Sequence, residues 1–159
     1  MDQIQIDIDQ DDSAISNQAI SLFVTVYINN KKQTDILDID EFFQSIQDPG
    51  IYPLFTCDCG FFGCGGYYVH VTHDEQGYRL QNSYKPYDVW NKKNRIHTFQ
   101  YLLDWHEIYL VGKKLIDLLN QLHKHDQSLD ASSGMYGMNL ISKISYYKHI
   151  LGKLNDKLK

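Results

Sequence analysis

The apolar residues of this chain change their prevailing spacing near residue 101, and that change decides what the chain can fold into. Before it, they alternate with polar residues in short runs; after it, they recur every three or four positions. Ile4, Ile6 and Ile8 alternate with Gln3, Gln5, Asp7 and Asp9, the pattern of a strand with one buried and one wet face, suited to a sheet edge where charges discourage further pairing. From Ala19 to Asn29, Ile20, Leu22, Val24, Val26 and Ile28 share one face and Phe23, Thr25 and Tyr27 the other, which predicts a central strand. Tyr67–Thr72 and Tyr78–Gln81 read as a hairpin across His73–Gly77, with Ile96–Tyr101 pairing beside it.

Helical signals punctuate and then replace this pattern. Asp38 followed three residues later by Glu41 reads as a capping box, opening a short helix that packs through Phe42, Phe43 and Ile46 and stops at Pro49-Gly50. Trp105, Ile108, Gly112, Leu115, Leu119 and Leu122 form one helical stripe, with Gly112 positioned for the close approach of another backbone. The Ser-, Gly- and Asp-rich stretch 126–138 reads as a linker. Beyond it Leu140, Ile144, Tyr147, Leu151, Leu154 and Leu158 make a heptad-like seam, for an αα-hairpin in a monomer or for a homodimer contact. The expected fold is α+β: an antiparallel sheet of about five strands with a helical layer and a C-terminal helical hairpin. It forms one domain over 1–159, with 1–101 mostly strands plus one short helix and 102–159 two helices. At 43% apolar residues such a chain can bury roughly two-thirds of its unfolded surface.

Charge narrows the choice of partner. The first sixty residues hold eleven acids against two lysines, a balance of −9, whereas thirteen bases against nine acids give +4 from Phe61 onward. An acidic half repels phosphate and attracts cationic surfaces, so a basic protein is favoured over direct nucleic-acid binding; ordinary solvated faces are the plainer explanation. Met1-Asp2-Gln3-Ile4-Gln5 shows no charged region ahead of an apolar run, and no apolar stretch approaches the roughly 20 residues of a membrane span, so the expected location is cytoplasmic.

The most specific stretch is Pro53-Leu54-Phe55-Thr56-Cys57-Asp58-Cys59-Gly60-Phe61-Phe62-Gly63-Cys64-Gly65-Gly66, whose four glycines predict a tight knuckle rather than a strand or helix. Cys57, Cys59 and Cys64 with His70, or else His73, supply four ligands for a structural zinc, although Cys-x-Cys-x₄-Cys departs from the usual Cys-x₂-Cys spacing. Small buried thiols beneath the hairpin are the simpler reading, and a Cys57–Cys64 redox pair is the third. Chemistry finds little purchase: there is no Gly-Lys-Ser/Thr phosphate loop, no Gly-x-Ser-x-Gly elbow and no His-Glu-x-x-His helix. His106 reads as an ordinary helix-surface histidine, and a Cys64–His70 nucleophile pair lacks an orienting residue. The expectation is a protein that is not an enzyme and needs no cofactor apart from an optional structural zinc.

Leu-Phe-Thr-Cys-x-Cys-Gly-x-x-Gly-Cys-Gly-Gly followed by an alternating strand resembles a motif of small uncharacterised bacterial proteins, some of which look like immunity proteins of contact-dependent or other polymorphic toxin systems. The resemblance covers roughly Tyr52–Tyr101 and carries over no functional residue. It implies an immunity-type inhibitor that binds a cognate toxin's C-terminal domain, possibly a basic nuclease; the alternative is a small structural zinc protein of unrelated role. For such an inhibitor Asp7, Asp9, Asp11, Asp12, Asp38, Asp40 and Glu41 are the expected steering charges, and Tyr84, Tyr87 and Trp90 the expected anchors around the polar excursion Lys85–Arg95.

Overall fold

Ten successive residues rich in β-branched and aromatic side chains make Ala19–Ile28 (β2) the spine of a sheet. In the computed structural model, which describes residues 1–11, 19–57, 65–86, 95–133 and 138–159, β1 (Ile4–Asp11) runs antiparallel along one side of β2 in unbroken register. On the other side β3 (Lys31–Lys32) pairs with the Tyr27–Ile28 end, and β9 (Asp130–Ser132) pairs parallel with Ala19–Ser21. Asn29 and Asn30 turn the chain into β3 at φ of 52° and 63°, the doubly left-handed turn that suits a two-residue hairpin and that Asn tolerates better than most residues.

A second sheet is antiparallel and strictly sequential: β4 (Ile36–Leu37), β5 (Gly50–Thr56), β6 (Tyr67–His73), β7 (Tyr78–Tyr84) and β8 (Arg95–Leu103). The β6–β7 connection is set by Asp74, whose carboxylate accepts the amides of Gln76 and Gly77, both at 2.9 Å. A Cβ on Gly77 would collide with the Leu103 carbonyl oxygen, so glycine is required there.

The helices are α1 (Ile39–Gln47), α2 (Trp105–His125) and α3 (Ile144–Lys157), the last preceded by a 3₁₀ turn over Ile141–Lys143. Leu22, Val24, Val26 and Ile28 of β2 join Leu54, Val71, Leu80 and Leu103 of the second sheet, Phe42 and Phe43 of α1, Leu115 and Leu119 of α2, and Tyr147 of α3 in one core. No described helix is long and apolar enough to cross a membrane.

The α+β expectation, with its five-stranded antiparallel sheet and C-terminal helical pair, matches the structure, and four details differ. The strands divide between two sheets instead of one. Gly50–Thr56, assigned in part to a knuckle, is a strand; Pro53 fits because the pairing with β6 slips between Tyr52 and Phe55, and a bulge needs no ladder donor. The 126–138 linker contains β9, too short to show an alternation. Finally, Gly112 faces a side chain and not a backbone: a Cβ there would lie 2.8 Å from Leu151 Cδ2. The final seam serves the chain's own core, since Leu140, Ile144, Tyr147, Leu151 and Leu154 are buried while Leu158 is exposed.

Candidate partner-binding surface

Strand alternation divides β1 and β2 into two faces. Ile6 and the even-numbered residues of β2 from Leu22 to Ile28 turn inward and are buried; Gln5, Asp7 and Asp9 turn outward and are exposed. Register places Asp9 opposite Phe23, Asp7 opposite Thr25 and Gln5 opposite Tyr27, all three β2 residues being half-buried. The outer face of this sheet therefore sets carboxylates beside aromatic rings. Neither Asp7 nor Asp9 has an ion-pair partner among the described residues. Phe23 and Tyr27 were not singled out as partner-binding residues in the sequence, although their odd positions in β2 are the signal that places them on this face.

β1 is also a sheet edge. Asn29 donates its amide to the Gln3 carbonyl, so the odd-numbered residues of β1 bond toward β2 and the amides and carbonyls of Ile4, Ile6, Ile8 and Gln10 point away from it. Helix α2 runs beside this edge and supplies side chains to its first half: the Ile4 amide donates to Glu107 Oε2 at 3.3 Å, and Lys114 Nζ donates to the Ile6 carbonyl at 2.8 Å. Further along, at Ile8 and Gln10, the edge opens onto a groove of about 770 Å³ between β1 and α2. Leu110, 49% exposed, and Leu118 give it an apolar wall, with Lys113, Lys114 and Asp117 along its rim.

Three of the expected steering acids belong elsewhere. Asp38, 2% exposed, is the N-cap of α1 and accepts the Glu41 amide at 3.0 Å. The capping box is only half formed, because the Asp38 amide donates instead to the Leu54 carbonyl at 2.9 Å and so needs nothing from the Glu41 side chain. Asp40, 9% exposed, accepts from Lys143 Nζ at 2.6 Å and from the Tyr147 hydroxyl at 2.8 Å, tying α1 to α3. Tyr147 stacks on Phe43 with ring centroids 4.2 Å apart. Burial, then the bond to Asp40, pushes the Tyr147 hydroxyl far above its ordinary pKa, so it remains a donor. Glu41 is half-buried; burial first, then the charges of Asp38 and Asp40, raise its pKa to about 7 against the opposing pull of Lys143. Buried or partly neutral, these carboxyls are joints of the fold and not long-range steering charges.

Of the remaining expected residues, Asp11 is exposed at the end of β1, and Asp12, Tyr87 and Trp90 lie outside the described residues. Tyr84 is buried at the end of β7, where it cannot anchor a partner. Cys57 follows β5, and a Cβ on Gly65 would lie 3.6 Å from its sulfur and 3.7 Å from Asp35, which accepts the Gly66 amide at 3.0 Å. Cys59 and Cys64 lie outside the described residues. His70 pairs with Ile51 near the start of β5, whereas Cys57 follows the end of that strand, six residues on and roughly 20 Å away at the usual rise. Zinc ligands lie near 2 Å from the ion, so His70 does not join Cys57 in one site, and His73 is further along the same strand. His73 instead bonds through Nε2 to the Ser45 carbonyl at 2.7 Å and packs edge-on against Trp105. Among the described residues no three His, Cys, Asp or Glu side chains are placed to hold a metal ion. The chain matches no protein-family model, no curated protein and no solved structure.

Proposed function

We propose that this chain is a non-catalytic binding protein of the immunity type, which engages a basic toxin domain through the outer face of β1 and β2. The observation that carries the reading is the shared outer face: Asp7 and Asp9, exposed and without ion-pair partners among the described residues, stand on it with the half-buried rings of Phe23, opposite Asp9, and Tyr27, opposite Gln5. Protein interfaces combine such features: charge speeds encounter, while aromatic bodies supply the contact area that holds it. A toxin that acts on nucleic acid presents a cationic groove, and an acidic sheet face competes with phosphate for it.

The test begins with the reading frame beside this gene. Expressed alone it should arrest growth, co-expression of this chain should restore growth, and the frame's C-terminal domain should co-purify in stoichiometric amount. The double charge reversal D7K/D9K should weaken capture by at least about tenfold, since each close charge pair lost at an interface costs on the order of 1.5 kcal/mol or more. A harmless neighbour that fails to co-purify would sink the immunity reading; capture unaffected by D7K/D9K would move the contact to another surface.

A further inference from the structure

We propose that the partner is held by strand addition: an extended segment with basic and apolar residues in alternation lies in the β1–α2 groove and pairs with the open edge at Ile8 and Gln10. The inference rests on the binding reading above and specifies its mode. Ile8 and Gln10 direct two amides and two carbonyls out of the sheet, without a backbone partner among the described residues. That row is what an added strand uses for affinity, while alternate side chains give specificity. The first half of the same edge is already occupied by Glu107 and Lys114, so the docking position is confined to the second half.

The chemistry of the segment follows from the two sides of the groove. Side chains of an added strand alternate between the outer face, where they meet Asp7 and Asp9, and the helix side, where they meet Leu110 and Leu118. Bases are favoured at the first set of positions. At the second, Lys114 on the rim opposes bases and Asp117 is already paired with Lys113 at 3.0 Å, so the match requires alternation and not merely positive charge. A second copy of this chain is a poor occupant: antiparallel pairing of two β1 edges centred on Ile8 places Asp7 of one copy opposite Asp9 of the other, and like charges directly opposite destabilise a sheet. The outer edge of β8 is less suited, because Asp2 exchanges bonds with Leu102 at one end of it and no described acid alternates along the strand.

The probe is an acetylated, amidated octapeptide alternating Lys and Val, compared with an isomer of four Lys followed by four Val. Amide hydrogen exchange and chemical shifts are followed on the full-length protein. The alternating peptide should slow exchange at Ile8 and Gln10 and bind more tightly than the block isomer. Gln10→Pro removes one outward donor that the β1–β2 ladder does not use, and should weaken the alternating peptide about five- to tenfold, the scale of one hydrogen bond. Should that variant fail to fold, Leu110→Asn removes the apolar wall at an exposed residue without adding charge and should produce a similar loss. Equal binding of the two peptides, with no protection at Ile8 and Gln10, would overturn strand addition and leave the acidic-face reading standing. No binding of either peptide, together with a harmless neighbouring gene, would remove both.

Discussion

Asp7 and Asp9 on β1, and Asp38 and Asp40 at the start of α1, belong to the same acid-rich first sixty residues, and as a list of charges they are interchangeable. Folding gives them opposite environments. The β1 pair stands in water on the polar side of a two-faced strand, where a carboxylate costs the fold almost nothing and gives it almost nothing. The α1 pair is enclosed between the helix and its neighbours, where a carboxylate persists only with donors aimed at it: the Glu41 amide for Asp38, and Lys143 with Tyr147 for Asp40. Net charge counts both pairs alike, whereas only the first can act at a distance on a partner.

Removing Asp40 should produce the largest difference between the two groups. Asp40→Ala leaves the Tyr147 hydroxyl without an acceptor and the Lys143 ammonium without its counter-ion, a loss of about 3 kcal/mol in urea denaturation. Pairing it with Lys143→Met and Tyr147→Phe removes the stranded groups and should recover part of that loss. A cost under about 1 kcal/mol for Asp40→Ala would place this carboxylate with the solvated acids and erase the contrast.

Glu41 lies between the two groups and should report it through pH. Its folded pKa, raised from 4.5 to about 7, means that the folded chain holds a proton that the unfolded chain has released between those values. The associated stability is complete below about pH 4.5 and is lost as pH rises through about 7. Glu41→Gln, permanently neutral, should therefore gain on wild type between pH 5 and pH 8, by on the order of 1 kcal/mol once partial exposure is allowed for. Burial lowers the His73 pKa, so that residue favours the folded state as pH rises; it is common to both proteins and drops out of their difference. Wild type and variant losing stability in parallel over that range would mean that Glu41 is ionised throughout.

The elements were legible where one physical signal dominates. Alternation at Ile4–Ile8 and along β2, the three-and-four spacing of α2 and the cap at Asp38 each depend on residues close in sequence. What was illegible depends on partners far away in the chain. Nothing local tells that Asp40 faces Lys143 and Tyr147 a hundred residues later, because an acid in the first turn of a helix is equally at home in water. The distance between His70 and Cys57 follows from the register of β6 on β5, which residue spacing does not contain. Tyr84 looked like a surface aromatic because a polar stretch follows it, yet at the end of β7 it is buried.

Neutralising the β1 acids should have the smallest effect on the fold. Asp7 and Asp9 are two residues apart on one exposed face, about 7 Å along the strand, so their mutual repulsion is weak and largely screened at physiological salt. The double variant D7N/D9N should change unfolding free energy by no more than about 0.5 kcal/mol, toward stabilisation at low salt, with the difference fading in 1 M salt. Thermal and urea denaturation at two salt concentrations separate this from a structural role. A loss above about 1 kcal/mol that persists in high salt would mean that the acids hold the sheet together, and weaker capture of a basic partner by their variants would then report on folding and not on recognition. A neutral result frees the charge reversal to be read as a binding experiment, because a carboxylate that the fold does not need can be changed without changing the surface around it.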